Sequence, residues 1–202
     1  MKNIIIALFF ISTLAFAQGY YIINNPVYTN IYSVKNKIPE IGIVHLTWKV
    51  VKAKMKRVNK FHQNKILPDA IQATNKDYTS SGFDRGHFSA NNADWDNNKS
   101  DMSYTFAFTN MTPQYRNTNR RSYLKVENYG RYLTYKYKSV FVINIAVPSN
   151  KYMKGNINIP IKYIKIFLFN NTKQCFIIPN DNKVYKLNDM KVDCNKIKIQ
   201  GL

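Results

Sequence analysis

The chain has 202 residues, with 30 Lys and Arg against 11 Asp and Glu for a formal charge of +19, and 45% of its residues are hydrophobic and 14% aromatic. That apolar content can bury a core and excludes an intrinsically disordered chain, while the length excludes more than one or two domains. The charge excludes a surface that avoids polyanions and leaves nucleic acid, an acidic membrane face or an acidic polysaccharide as partner classes.

In chain order, Met1-Lys2-Asn3 precedes an apolar run from Ile4 to Phe16, and Ala15-Phe16-Ala17 supplies an A-x-A site. A positive start, a short apolar stretch and small residues at the cut predict a secretory signal peptide over 1–17, leaving one domain at 18–202. The run falls short of the ~20 apolar residues of a membrane span, and no later segment is long or apolar enough, so no stable span is expected after cleavage. The expected location is exported, either periplasmic or secreted.

Val44, Leu46, Trp48 and Val50 alternate with His45, Thr47 and Lys49, which predicts a half-buried strand. Tyr104, Phe106 and Phe108 predict another, ending at Asn110. Asn119 to about Tyr135 lacks Pro and carries Leu124, Val126 and Leu133, which predicts the main helix. Residues 140–147, VFVINIAV, are apolar on both faces and suit a central strand; Ile161 to Phe169 and Cys175 to Ile178 read as two more. The Asn-rich stretches between them read as loops. Cys175 and Cys194 are the two cysteines, expected to pair in an oxidising compartment, with two buried thiols as the alternative. With three His and no further Cys, a Cys/His zinc site is excluded. The expected class is α+β: a mixed, mainly antiparallel sheet with one central helix.

Lys outnumbers Arg 24 to 6, yet five of the six arginines (Arg85, Arg116, Arg120, Arg121 and Arg131) lie in the middle of the chain. Arg is hard to replace where a planar, bidentate donor must meet a phosphate, so this is the expected anion-handling region. Residues 82–92 read GFDRGHFSANN and residues 109–128 read TNMTPQYRNTNRRSYLKVEN. The first puts a carboxylate, a guanidinium and an imidazole (Asp84, Arg85, His87) within four positions, with Gly86 permitting a tight backbone.

Together the two segments resemble the DNA/RNA non-specific endonuclease family, the Serratia-type and endonuclease G-like nucleases of the ββα-metal superfamily, also called His-Me fingers. Gly82-Phe83-Asp84-Arg85-Gly86-His87 matches the first signature; Asn110, Pro113-Gln114, Asn119, Tyr123 and Glu127 match the second in order and spacing. Phe88-Ser89-Ala90 stands where the family usually has Leu-Ala-Pro, and Tyr123 stands where Trp is common. The family's upstream arginine has Arg57 as its candidate.

The resemblance implies a central ββα-metal core and hydrolysis of DNA and RNA with little sequence preference, giving 5′-phosphate ends. His87 is then the general base, as a neutral imidazole can take a proton from water near neutral pH. Asn119 is implied as the direct ligand of one divalent cation, with Mg²⁺ expected because it keeps several waters, and Mn²⁺ or another divalent ion as a substitute. Glu127 would reach the ion through water, and its use is pointed, since Glu occurs only here and at Glu40. Arg85 is expected on a phosphate oxygen, Asp84 to orient the site, and Asn110 to position a ligand or His87. Arg57, Arg116, Arg120 and Arg121 are expected to bind substrate, the last two in a first helical turn where the helix dipole disfavours cations. His45 and His62 are read as structural. The alternative is an exported nucleic-acid-binding or DNA-uptake protein without catalysis, which would need none of His87, Asn119 and Glu127. The residues leave a homodimer open.

Overall fold

The computed structural model describes residues 19–52, 60–89 and 99–197. The expected signal segment and Arg57 lie outside the described residues. Its largest element is a seven-stranded antiparallel sheet, in spatial order β1-β2-β3-β6-β9-β10-β11. These strands are β1 (Tyr20–Asn24), β2 (Thr29–Ser33), β3 (Ile38–Thr47), β6 (Ser139–Val147), β9 (Lys162–Phe169), β10 (Thr172–Pro179) and β11 (Lys191–Val192). A separate pair, β4 (Asp84–His87) with β5 (Met111–Gln114), carries the two sequence motifs, and β7 (Tyr152–Met153) pairs with β8 (Ile157–Asn158). The α+β class expected from the sequence is the one observed.

The tight β9–β10 hairpin follows from Asn170 and Asn171, which both take positive φ (44° and 57°), as a two-residue turn of matching twist requires. β6 is central, paired on one side with β3 and on the other with β9. After the short helices α1 (Trp48–Val51), α2 (Asn75–Tyr78) and α3 (Lys99–Thr105), the main helix, α4 (Leu124–Tyr137), crosses the inner face of this sheet and ends at Lys138, whose φ is 68°. Val126 and Leu133 of α4 are buried with Val44, Leu46, Val140, Val142, Phe167 and Phe169, the inward-facing residues of β3, β6 and β9. Immediately before α4 the helix widens into a π turn, Thr118–Tyr123.

Two strand expectations fail. β3 stops at Thr47, and Trp48–Val51 forms a helical turn, α1. The Trp48 amide donates to the Lys138 carbonyl (2.9 Å) and its ring packs edge-on to Tyr135, so the apolar residues 48 and 50 are taken up by the end of α4. The stretch around Tyr104, Phe106 and Phe108 is helical through Thr105 and again at Phe108–Asn110. Nearly every residue from 105 to 114 is buried, so alternation there does not report a strand.

Cys175 and Cys194 are bonded, tying the segment after β11 back to β10. Closing a loop of sequence separation 19 contributes about 3 kcal/mol in the chain-entropy model. Cys175→Ser/Cys194→Ser is therefore expected to unfold at lower denaturant, with an m-value no smaller than the wild type's because the unlinked denatured chain is less compact. Among the described residues no helix is long and apolar enough to cross a membrane.

Candidate active site

β4 and β5 pair so that Asp84 faces Gln114, Gly86 faces Thr112 and His87 faces Met111. Side chains alternate along a strand, so Asp84 and Gly86 share one side and Arg85 and His87 the other. Gly86 is required by close approach: a Cβ there would run into the fully buried Gln114 side chain.

Asp84 joins the strand pair to the helix. Its carboxylate accepts from Arg120 through Nε (2.8 Å) and Nη2 (2.9 Å), and from the Asn119 amide Nδ2 (3.0 Å). Burial pushes the Asp84 carboxyl up, but the hydrogen bonds from Arg120 and Asn119 and the charges of Arg120 and Arg116 outweigh it and hold it below its ordinary 3.8. A carboxyl depressed by folding stabilises the protein above its unfolded value, and this is lost as the pH falls through the folded value. The gap in melting temperature between the wild type and Asp84→Asn is accordingly expected to be constant above about pH 5 and to shrink below about pH 4. Thermal melts from neutral to acid pH measure it.

The π turn bearing Asn119 is held from the side by residues 179–185. Thr118 Oγ1 donates to the Asp181 carbonyl (2.6 Å) and accepts from the Asp181 amide (3.1 Å). Asn117 Nδ2 donates to the Asn182 carbonyl (2.7 Å), and the Tyr185 amide donates to Ser122 Oγ (3.0 Å). Asn119 is not the helix N-cap that its residue type favours: its amide already donates to the Tyr115 carbonyl (2.9 Å), one turn into the helix. Arg120 and Arg121 therefore lie beyond the first turn, where the dipole penalty has faded.

His87 is 9% exposed, its ring edge-on to Phe106 (5.2 Å between centroids) and tilted against Phe61 (6.1 Å). The Arg85 guanidinium lies over the rings of Phe61 (5.1 Å) and Tyr78 (5.7 Å), with one long hydrogen bond from Nη2 to the Asn75 carbonyl (3.5 Å). These rings fix the cation without neutralising it, and Arg85 Nε is buried without a hydrogen-bond partner among the described residues. Phe61 is set by its neighbour His62, which exchanges backbone hydrogen bonds with Phe106 and Phe108. His62 Nε2 meets Ser103 Oγ (3.2 Å), and burial, with help from Lys65, lowers its pKa. His45 stacks on Phe141 and meets Ser139 Oγ (2.8 Å) across the β3–β6 pair.

Asn110 is fully buried behind β4. Its Oδ1 accepts from the Ser89 amide (3.0 Å), its Nδ2 donates to the Thr105 carbonyl (3.0 Å), and its carbonyl accepts from the Phe88 amide (2.9 Å). It thus clamps the two residues that follow His87. Glu127, one turn into α4, has a side chain 10% exposed and stands 3.8 Å from the Arg131 guanidinium.

A model of the DNA/RNA non-specific endonuclease family matches residues 8–200. The chain belongs to that family. Bovine mitochondrial endonuclease G is 39% identical over 83 residues, covering 41% of this chain and 27% of that protein. A nuclease of Nostoc sp. is 34% identical over 114 residues (54% and 40%), and nuclease C1 of Cunninghamella echinulata is 31% identical over 140 (60% and 55%). The chain thus spans between about a quarter and just over half of these relatives. In fold it resembles a chain of the solved EndoG/EndoGI complex, with TM-score 0.76 and 22% identity over 86% of this chain and 80% of that one.

Nucleases of this family depend on a divalent metal. The residues present fit such an ion. Donation from Asn119 Nδ2 to Asp84 orients the amide, leaving Oδ1 as the atom offered to a ligand. Among the described residues no three His, Cys, Asp or Glu side chains stand close enough to cage a metal, so this site offers a hard amide oxygen suited to a hydrated cation.

Of the residues the family resemblance nominated, the structure brings Asp84, Asn119 and Arg120 into direct contact and sets Arg85 and His87 side by side over Phe61. Arg116 and Arg121 are exposed, whereas Arg120 is bonded to Asp84 rather than held open for a phosphate. The sequence reading missed Phe61 and the 179–185 brace. Neither carries a motif; the only available signal for the brace was its polar run, Asn180-Asp181-Asn182.

Proposed function

We propose that the chain is an exported, sugar-non-specific endonuclease. The observation that carries this reading is the Asn119–Asp84 hydrogen bond, which unites the strand motif of His87 with the helix motif of Asn119 in one site. The net charge of +19 supports a phosphate-dominated, salt-sensitive affinity without base reading. The Ala15-Phe16-Ala17 site supports export of residues 18–202 as one domain.

In this reading His87 accepts a proton from the attacking water while the water oxygen bonds to phosphorus. The bond from phosphorus to the 3′-oxygen breaks, the leaving oxygen takes a proton from solvent, and the products are a 5′-phosphate and a 3′-hydroxyl. Arg85, fixed by Phe61 and Tyr78, holds a non-bridging oxygen through the transition state. Asn119 would hold a divalent cation, with Mg²⁺ preferred and Glu127 reaching it through water; when bound, the ion neutralises phosphate charge and stabilises the leaving oxygen. Asp84 orients Asn119, and exposed Arg116 and Arg121 gather the strand. The phenyl pockets around His87 and Arg85 support catalysis over simple binding, because a binding surface has no need to bury its imidazole.

The test uses the exported protein, expected to begin at Gln18 by mass. Plasmid DNA and single-stranded RNA should both be degraded in Mg²⁺, with EDTA stopping the reaction and products accepting label from a kinase only after phosphatase treatment. Intact plasmid and RNA would overturn the reading; an N-terminus still carrying residues 1–17 would overturn export alone.

A further inference from the structure

One rung of the large sheet is polar on its inner face. Across the strands, Asn30 of β2 pairs with Gly42 of β3, Gly42 with Asn144 of β6, and Asn144 with Lys165 of β9. Asn30, Asn144 and Lys165 are at most 3% exposed, in a face that is otherwise aliphatic and aromatic. Burying an ammonium costs several kcal/mol before compensation, so a buried lysine in the core calls for a reason.

The rung lies under the backbone that follows His87. Gly42 leaves a gap filled by Phe88 and Ser89: a Cβ there would collide with Ser89 Oγ, Asn30 Oδ1 and the Phe88 ring. Into that gap Ser89 Oγ donates to Asn30 Oδ1, and Asn30 Nδ2 donates to the Thr109 carbonyl (3.1 Å). At the other end Lys165 Nζ donates to Asn144 Oδ1 (2.5 Å) and sits 4.5 Å from the centre of the Tyr123 ring. The Tyr123 hydroxyl in turn donates to the Phe88 carbonyl (2.8 Å). Tyr123 belongs to the π turn that also carries Asn119.

We infer that this rung is a positioning device: Lys165, acting through the Tyr123 ring and hydroxyl, together with Asn30 acting through Ser89, sets the backbone at Phe88–Ser89 and hence the placement of the His87 imidazole relative to Asn119. The inference rests on His87 being the base. Ser89 and Tyr123 are two of the positions where the chain departs from its family's usual residues, and each supplies a hydroxyl to this network. An Ala at 89 would lack that hydroxyl altogether. Lys165 is a cation rather than an apolar residue because a ring face and an amide oxygen can both be held by one ammonium.

Tyr123→Phe, which removes one hydroxyl, and Lys165→Met are the test variants. Each is expected to lower kcat ~10- to 100-fold, as small misplacement of a reacting group does, with KM for DNA and the Mg²⁺ requirement unchanged. The His87 ring resonances in two-dimensional NMR, readily assigned among three histidines, should shift in both variants while those of His45 and His62 stay in place. In a His87→Ala background the same substitutions should leave the residual rate unchanged. A folded Tyr123→Phe protein with wild-type kcat and unmoved His87 resonances overturns the inference. So does an equal fractional loss of rate with and without His87, which marks a merely structural role. If Lys165→Met does not fold, Tyr123→Phe decides the matter. Failure of the wild type to cut nucleic acid would overturn the endonuclease reading instead, and the resonance shifts would still test the placement.

Discussion

His87→Ala is expected to lose cleavage by ~10²- to 10⁴-fold, the usual contribution of a positioned general base, while retaining salt-sensitive binding of DNA. The imidazole packs among aromatic rings, with Phe106 edge-on and Phe61 beside it. A base in such a cage keeps its geometry without a large rearrangement when substrate arrives. Single-turnover cleavage at saturating Mg²⁺ measures the loss, and fluorescence anisotropy in EDTA measures binding. His87→Gln, which fills more of the same space, controls for the void left by Ala. Undiminished cleavage by the folded His87→Ala protein would leave an enzyme and remove His87 from its mechanism.

For Asn119→Ala the expected result is a ~10- to 100-fold rise in the Mg²⁺ concentration giving half-maximal activity, the scale on which losing a ligand or its orienting partner shows in metal affinity. Asp84→Asn should reproduce part of this, because Asp84 accepts from the Asn119 amide nitrogen and so leaves its oxygen for a ligand. Arg120→Ala should do less, since it reaches the amide only through the same carboxylate. A Mn²⁺ titration followed by electron paramagnetic resonance reads affinity without turnover and should give the same order. Unchanged ion dependence in folded Asn119→Ala would mean that the cation is held elsewhere.

The central strand β6 and the strands β9 and β10 were readable because long runs of β-branched and aromatic residues have few other uses. β1 and β2 were not, since each is five residues long and TNIYS mixes three polar residues with its Ile and Tyr. The two misreadings differ in cause: residues 105–114 are buried on all sides, where alternation no longer reports a strand, whereas at Trp48 the chain turns into a helix that packs on Tyr135. Asn-rich stretches looked like loops, yet Asn30 sits in the core, as do Asn110 and Asn144 within predicted strands. An amide is a loop residue until its partners are known, and those partners lie 79, 21 and 102 positions away in sequence. In the candidate site the two motifs were legible by their spacing, and the structure joins them where Asn119 donates to Asp84. The site's support from Phe61, Lys165 and the 179–185 brace was not legible, because long-range packing leaves no spacing to read.

The π turn at Thr118–Tyr123 changes the angular bookkeeping of the helix. In an unbroken α-helix, at 100° per residue, side chains eight positions apart point about 80° away from each other. The i to i+5 bonding of a π turn advances by roughly 85° per residue, which brings Asn119 and Glu127 to within roughly 20° of a common direction. The single extra residue therefore acts as a phase adjuster for two oxygen donors a long way apart on one rod. Deleting one residue between Asn119 and Glu127 would restore a regular helix with the two seven positions apart and still within about 20° of one direction, so the π turn gives an eight-residue spacing the facing of a seven-residue one.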